Sequence, residues 1–167
     1  MSNINEQNIQ QWGLSVSDTL SSKLKSDINL QGFKSDELNY GTLLDNSPEG
    51  NWISVFMTPE QKTIITIIHN KSIIAITESI FLSNLTEEKE NKVQLSFTEK
   101  FIAEKITEEM TEIFKLKQID LEFVRNESKK KFVHTFLTNE TITNYQFNVH
   151  IGGTHYGDLN ICHAHVL

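Results

Sequence analysis

Four of the six histidines of this 167-residue chain lie near its C-terminus: His150, His155, His163 and His165. His163 and His165 are two apart, so on a strand they share a face. Such a His-x-His pair can ligate zinc or a ferrous ion only with two further ligands. Spacing supplies none, and ordinary strand histidines are the simpler reading. Cys162, the single cysteine, would be a nucleophile only beside a base that lowers its pKa. His163 follows it, but consecutive strand residues point to opposite faces, so Cys162 is expected to fill core space. Glu87-Glu88 and Glu108-Glu109 are sequence neighbours, which do not face each other on a helix. Glu104, Glu108 and Glu112 do share a face and are expected to form a solvated stripe. Gly152, Gly153 and Gly157 suit a hairpin turn. A phosphate cradle would need a helix to follow, and Asp158-Leu159-Asn160-Ile161-Cys162 is strand-like. There is no Gly-x-Ser-x-Gly elbow and no GxxxxGK loop. No catalytic set, metal or cofactor is expected.

The composition narrows the classes further. The chain carries 22 acidic and 15 basic residues, a net charge of −7, which argues against a surface dedicated to nucleic acid or anionic lipid. Apolar residues make up 38%, enough for one buried core at this length. A lone cysteine forms no internal disulfide and fits a reducing compartment. No apolar run reaches a membrane span, and the polar start has no secretory pattern.

The elements that would position these residues can be read in order. Ile9, Trp12, Val16, Leu20 and Leu24 recur at helical spacing, predicting a helix within Ile4–Leu30, with Gly13 as a site for a break or bend. Trp52–Phe56 and Thr63–Ile68 read as a strand pair. Asn70 is the expected N-cap of a mostly buried helix through Phe81. Ser83–Lys92 reads as a polar linker. Ser96-Phe97-Thr98-Glu99 fits a capping box, and Phe101, Ile102, Ile106, Met110, Ile113 and Phe114 continue a helix to about Lys117. Four strands are predicted after it, over Ile119–Val124, Phe132–Leu137, Ile142–Ile151 and Tyr156–Cys162. Asn126–Lys131 reads as a turn or loop. Tyr145, Phe147, Val149 and Ile151 should face one way, with Gln146, Asn148 and His150 opposite. The result is a single α+β domain.

At the last hairpin a family likeness enters. Phe147-Asn148-Val149-His150-Ile151-Gly152-Gly153, a turn, and Gly157-Asp158-Leu159-Asn160-Ile161-Cys162 resemble the end of the middle domain of the flagellar motor switch family FliM. Leu159 replaces the family's usual Met, and His163-Ala164 stands where members carry a residue and then Pro. Phe123–Ser128, Phe97–Phe114, Trp52–Phe56, Leu38–Leu44 and the opening helix after Asn5 resemble further pieces in order.

This resemblance implies an α/β fold of the CheC type, an α-β-α sandwich with pseudo-two-fold internal symmetry. It implies a non-enzymatic subunit of the cytoplasmic switch ring at the flagellar basal body, peripheral to the inner membrane, that contacts FliG and neighbouring FliM copies. Residues 1–167 would be the middle domain alone, without the N-terminal CheY-binding segment or the C-terminal β domain that joins FliN. By position, the FliG-facing loop falls at Ser83, Asn84 and Leu85. The family's Gly-Gly-x-Gly is absent there, since the chain reads Phe81-Leu82-Ser83-Asn84-Leu85, so side chains replace bare backbone. Two alternatives stand. One is a subunit of a type III secretion sorting platform. The other is a CheC- or CheX-type phosphatase acting on phosphorylated CheY, which would need Glu-x-x-Asn on a helix. Glu104 and Glu108 are instead followed three later by Thr107 and Thr111, and Glu88-x-x-Asn91, with Asn84 before it, lies in the predicted linker.

Overall fold

The computed structural model describes residues 4–47, 49–82, 94–130 and 141–164. Helix α1 (Glu6–Leu24) opens on Asn5, whose side chain accepts from the Asn8 amide at 2.9 Å. Strand β1 (Ile28–Asn39) and the short helix α2 (Tyr40–Asn46) follow. Then come the pair β2 (Trp52–Met57) and β3 (Thr63–Ile68), helix α3 (Asn70–Phe81) and the long helix α4 (Phe97–Leu116). Strands β4 (Glu122–Glu127), β5 (Thr141–Ile151) and β6 (Thr154–Ala164) complete the described elements.

The six strands form one sheet in the order β1-β5-β6-β3-β2-β4, with every neighbouring pair antiparallel. Helices α1, α3 and α4 cover one face. Their apolar stripes meet Trp52, Phe56, Ile64, Ile68, Phe147, Leu159 and Ile161 in the main core. On the other face, Tyr40 and Leu44 of α2 close over Ile53, Val55, Ile65, Ile67, Ile142 and Cys162. The outcome is a helix–sheet–helix sandwich with one thick and one thin helical layer, and the alternation expected along β5 holds, Tyr145, Phe147, Val149 and Ile151 being buried.

The predicted capping box is complete. Ser96 Oγ accepts from the Glu99 amide at 3.2 Å, and Glu99 Oε1 accepts from the Ser96 amide at 2.8 Å. Helices α1 and α4 repeat one burial pattern, with Ile9, Trp12, Val16 and Leu20 matched in spacing by Ala103, Ile106, Met110 and Phe114. Each also carries a hydroxyl that donates to the carbonyl four residues earlier: Ser17 to Gly13, and Thr111 to Thr107.

Four expectations need correction. The first helix ends at Leu24, not Leu30, because Lys25 takes the left-handed conformation and Ile28–Leu30 enter β1. No break occurs at Gly13. The glycine lets a partner approach closely, since a Cβ there would lie 2.5 Å from two ring carbons of Phe147. Asn70 is the first residue of α3 and not its cap; the N-cap is His69, and the Asn70 amide donates to Asn51 Oδ1 at 3.1 Å. The strand predicted from Ile119 starts at Glu122 and takes in Asn126 and Glu127 of the predicted turn. Phe132–Leu137 and the Ser83–Lys92 linker fall outside the described residues, apart from the bounds of α3 and α4 beside the latter. Gly13→Ala is expected to lower unfolding stability by about 1–3 kcal/mol through overpacking against Phe147, as read by urea titration. An unchanged midpoint would mean that the ring yields freely.

Candidate functional site

Two regions could carry function, and each rests on how α3 and α4 are held. Ser83, Asn84 and Leu85 follow the last turn of α3 and lie outside the described residues, so the fold leaves that expectation where the sequence put it. The approach to them is described. Helix α3 is buried along Ile73, Ile74, Ala75 and Ile76. Its end emerges, with Phe81 60% and Leu82 57% exposed. Large apolar side chains standing in solvent at a helix end are what a contact surface presents.

The second region is the groove between α4 and β4, about 510 Å³, lined by Glu104, Thr107, Glu108, Glu109, Thr111, Glu112, Phe123 and Asn126. The carboxylates stand on its rim as the solvated stripe the sequence suggests. Glu109 pairs with Lys23 at 2.9 Å, Glu108 with Lys105 at 3.4 Å and Glu112 with Lys115 at 3.3 Å. Exposed pairs of this kind contribute little to stability. The groove floor is different. Thr107 is 3% exposed, and its hydroxyl donates to the Ala103 carbonyl at 3.0 Å. It also accepts from Trp52 Nε1 at 3.0 Å and lies 3.3 Å from Ser54 Oγ. Ser54 in turn donates to Asn126 Oδ1 at 2.8 Å. A hydroxyl committed to three neighbours in the protein interior fixes α4 against β2 and has little capacity left to orient a water.

The remaining sequence candidates separate. Cys162 is fully buried in the thin-layer core, where burial pushes its thiol pKa up. A thiolate is therefore disfavoured, which fits a packing role and not a nucleophile. His163 is half-buried and pairs in register with Ile64, whereas His165 lies outside the described residues. Among the described residues no group of three or more His, Cys, Asp or Glu side chains is arranged to hold a metal ion. The Gly152-Gly153 turn is a hairpin with both glycines at positive φ. Sequence reasoning missed one grouping. His150 and His155 stack at 5.4 Å, His155 reaches Asp158, and the backbone of Asp158 accepts from His69. A two-residue turn at 152–153 pairs 150 with 155, so half of it was derivable.

An antiparallel six-stranded sheet with three helices over one face and a short helix over the other defines an α/β sandwich of the FliM and CheC-like fold class. The solved structures agree on the fold. A CheC-like chemotactic protein from Shewanella oneidensis superposes with a TM-score of 0.53 at 13% identity, covering 96% of this chain and 99% of that one. The likeness is greater to the FliM middle domain from Vibrio alginolyticus, with a TM-score of 0.77 at 13% identity and coverage of 94% and 90%. It is equal for a chain of the FliG–FliM complex from H. pylori, with a TM-score of 0.77 at 18% identity and coverage of 96% and 94%. No curated protein matches. The family model for flagellar motor switch protein FliM matches residues 2–167. The chain belongs to the FliM family.

Proposed function

We propose that this chain is a structural subunit of the flagellar motor switch and works by contact with other subunits, not by catalysis. The observation that carries the reading is the FliM match across residues 2–167. Residues 1–167 then correspond to a FliM middle domain, in a cytoplasmic ring at the basal body. No described helix is long and apolar enough to cross a membrane, which fits peripheral attachment. FliG is the proposed partner, by analogy with the FliG–FliM complex of H. pylori, along with neighbouring copies of the same chain. Our reading puts the contact at Ser83, Asn84 and Leu85, as the family resemblance implies; the exposed Phe81 and Leu82 just before them support it.

A mechanical role suits this architecture. Helices α1, α3 and α4 share one packed core against the sheet, α3 through Ile73, Ile74, Ala75 and Ile76, so a shift imposed at the end of α3 is passed on and not absorbed locally. The non-enzymatic reading is supported by Thr107, whose hydroxyl is occupied by Trp52, Ser54 and Ala103. Phosphatase chemistry on an aspartyl phosphate needs a rigidly aimed water, and a Thr in that network does not supply the amide.

The test is binding of the purified chain to FliG from the same organism by titration calorimetry. Measurable micromolar affinity is expected, weakened at least about tenfold by Asn84→Asp or Leu82→Asp, since a charge placed in an interface costs more than 1.4 kcal/mol. No detectable binding at high micromolar concentration would remove the FliG contact.

A further inference from the structure

We propose that His69, His150, His155 and Asp158 form a proton-sensitive clamp that fastens the β5–β6 hairpin to the start of α3 and loosens as the solution becomes acidic. The four residues come from four places: the β3–α3 junction, β5 and two positions of β6. His150 and His155 are register partners across the hairpin, with rings stacked at 5.4 Å and inclined by 18°. His155 Nε2 lies 2.9 Å from Asp158 Oδ1. The Asp158 carbonyl accepts from the His69 amide at 3.0 Å. One residue earlier, Gly157 adopts φ +78°, and a Cβ there would lie 2.7 Å from His69 Cβ and 3.2 Å from its Nδ1. Only a bare backbone in that left-handed conformation lets the hairpin lie against the His69 side chain. Ser72 Oγ, in the first turn of α3, donates to the Tyr156 carbonyl. The hairpin is thus tied to the first residues of α3 by two hydrogen bonds and one backbone-on-ring contact.

Charge decides how these ties respond to protons. The His150 and His155 rings face each other across the hairpin at 5.4 Å, and Asp158 flanks His155. Asp27 stands on the β1 side, where Asn29, the register partner of His150, donates to its carboxylate at 3.1 Å. On the α3 side, burial pushes the His69 imidazole below its ordinary 6.5; Asp158 acts the other way, and His155 and Lys71 add to the lowering. The sign follows. The opened or unfolded chain takes up a proton at His69 that the closed clamp resists. Closure is therefore fully stable above pH about 6.5 and is lost as pH falls below that value.

The test is amide hydrogen exchange of the full chain at about pH 7.5 and about pH 5.5, corrected for intrinsic rates. Protection at His69 and across residues 152–158 is expected to fall several-fold, up to about tenfold for each pH unit below 6.5 and each proton taken up. Protection in β2 and α4 should hold. His69→Asn should abolish the pH dependence, and Gly157→Ala, whose added Cβ would lie 2.7 Å from His69 Cβ, should lower the protection of the hairpin already at pH 7.5. Protection that does not change with pH, or that falls equally throughout the sheet, overturns the clamp. So does a folded His69→Asn chain with the wild-type profile. If His69→Asn does not fold, His69→Gln decides, and a wild-type profile in it overturns the clamp.

Discussion

Trp12→Ala is expected to cost about 3–5 kcal/mol, the range for emptying a large aromatic site in a packed core. Trp12 has no exposed surface. Its ring stacks on Phe114 at 4.6 Å and 13° and lies 6.2 Å from Phe147. Its indole Nε1 donates to the Met110 carbonyl of α4 at 3.2 Å. One side chain of α1 therefore touches the helix beside it and the sheet beneath it. Truncation leaves a cavity that Gly13, one residue on, cannot help to fill. Domains of this size are held by about 5–15 kcal/mol in total, so the change is a large share. A melting shift of roughly 6–20 °C follows from about 2–4 °C per kcal/mol at this length. Urea titration of both chains checks it, with the slope compared to exclude a change in the unfolded state. Trp12→Phe keeps part of the ring and should cost about 1–2 kcal/mol, for the lost indole hydrogen bond to the Met110 carbonyl and the volume vacated beside Phe114. A loss below about 1 kcal/mol for Trp12→Ala would mean that the α1–α4 seam does not hold the fold.

The seam was legible in the sequence because its signals are local. Helical spacing in α1 and α4 and the Ser96–Glu99 box need no knowledge of the rest of the chain. The end of α1 was not legible for a physical reason. Ile28 continues the four-residue spacing of Leu20 and Leu24, so the apolar period runs straight through the real boundary. What stops the helix is Lys25 at φ 51°, a left-handed residue with no glycine to announce it. Strand β1 hid for a second reason. It lies at a sheet edge, and its pairing with β5 shifts between Gln31 and Lys34, which breaks the two-residue alternation a strand normally shows. The cap of α3 was misplaced because its acceptor, Asn51, comes from the loop before β2, a tertiary contact that no local rule reports. Ile119 and Leu121 are buried in a connection and not in a strand, so their alternation mimicked β4.

The functional regions divide along the same line. The family likeness was carried by Asn160-Ile161-Cys162 after a glycine turn, where backbone conformation and central-strand burial restrict the residues. The Thr107 network could not be foreseen, since Trp52, Ser54 and Asn126 meet it from two strands. The histidine grouping needs His69 from a third place in the chain. Local sequence shows which residues could act; only pairing across the sheet shows which of them stand together.

Cys162 carries the second large effect: its thiol is expected to react with a disulfide reagent at least about a thousandfold more slowly in the native chain than in concentrated guanidinium. The residue is fully buried on β6, between Ile65 of β3 and Asn144 of β5, with Sγ 3.8 Å from Asn144 Oδ1. A central strand opens only with much of the sheet, so reaction needs an opening free energy near the global one. An opening cost of about 5 kcal/mol corresponds to between three and four decades in rate. Burial also pushes the thiol pKa up from 9.0, and burial with the nearby Cys162 pushes the Tyr40 hydroxyl up from 10.0. Both groups are acids with a raised folded pKa. The unfolded chain therefore loses their protons first, and the stability they contribute is present below pH about 9 and falls as pH rises beyond it. The denaturation midpoint should accordingly drop between pH 8.5 and 10.5, roughly the span of the ordinary Cys and Tyr values, and Cys162→Ala should remove the first part of the drop. A native thiol that reacts within about tenfold of the unfolded rate would place Cys162 at an accessible, activated position, which a side chain packed for a contact-making subunit does not occupy.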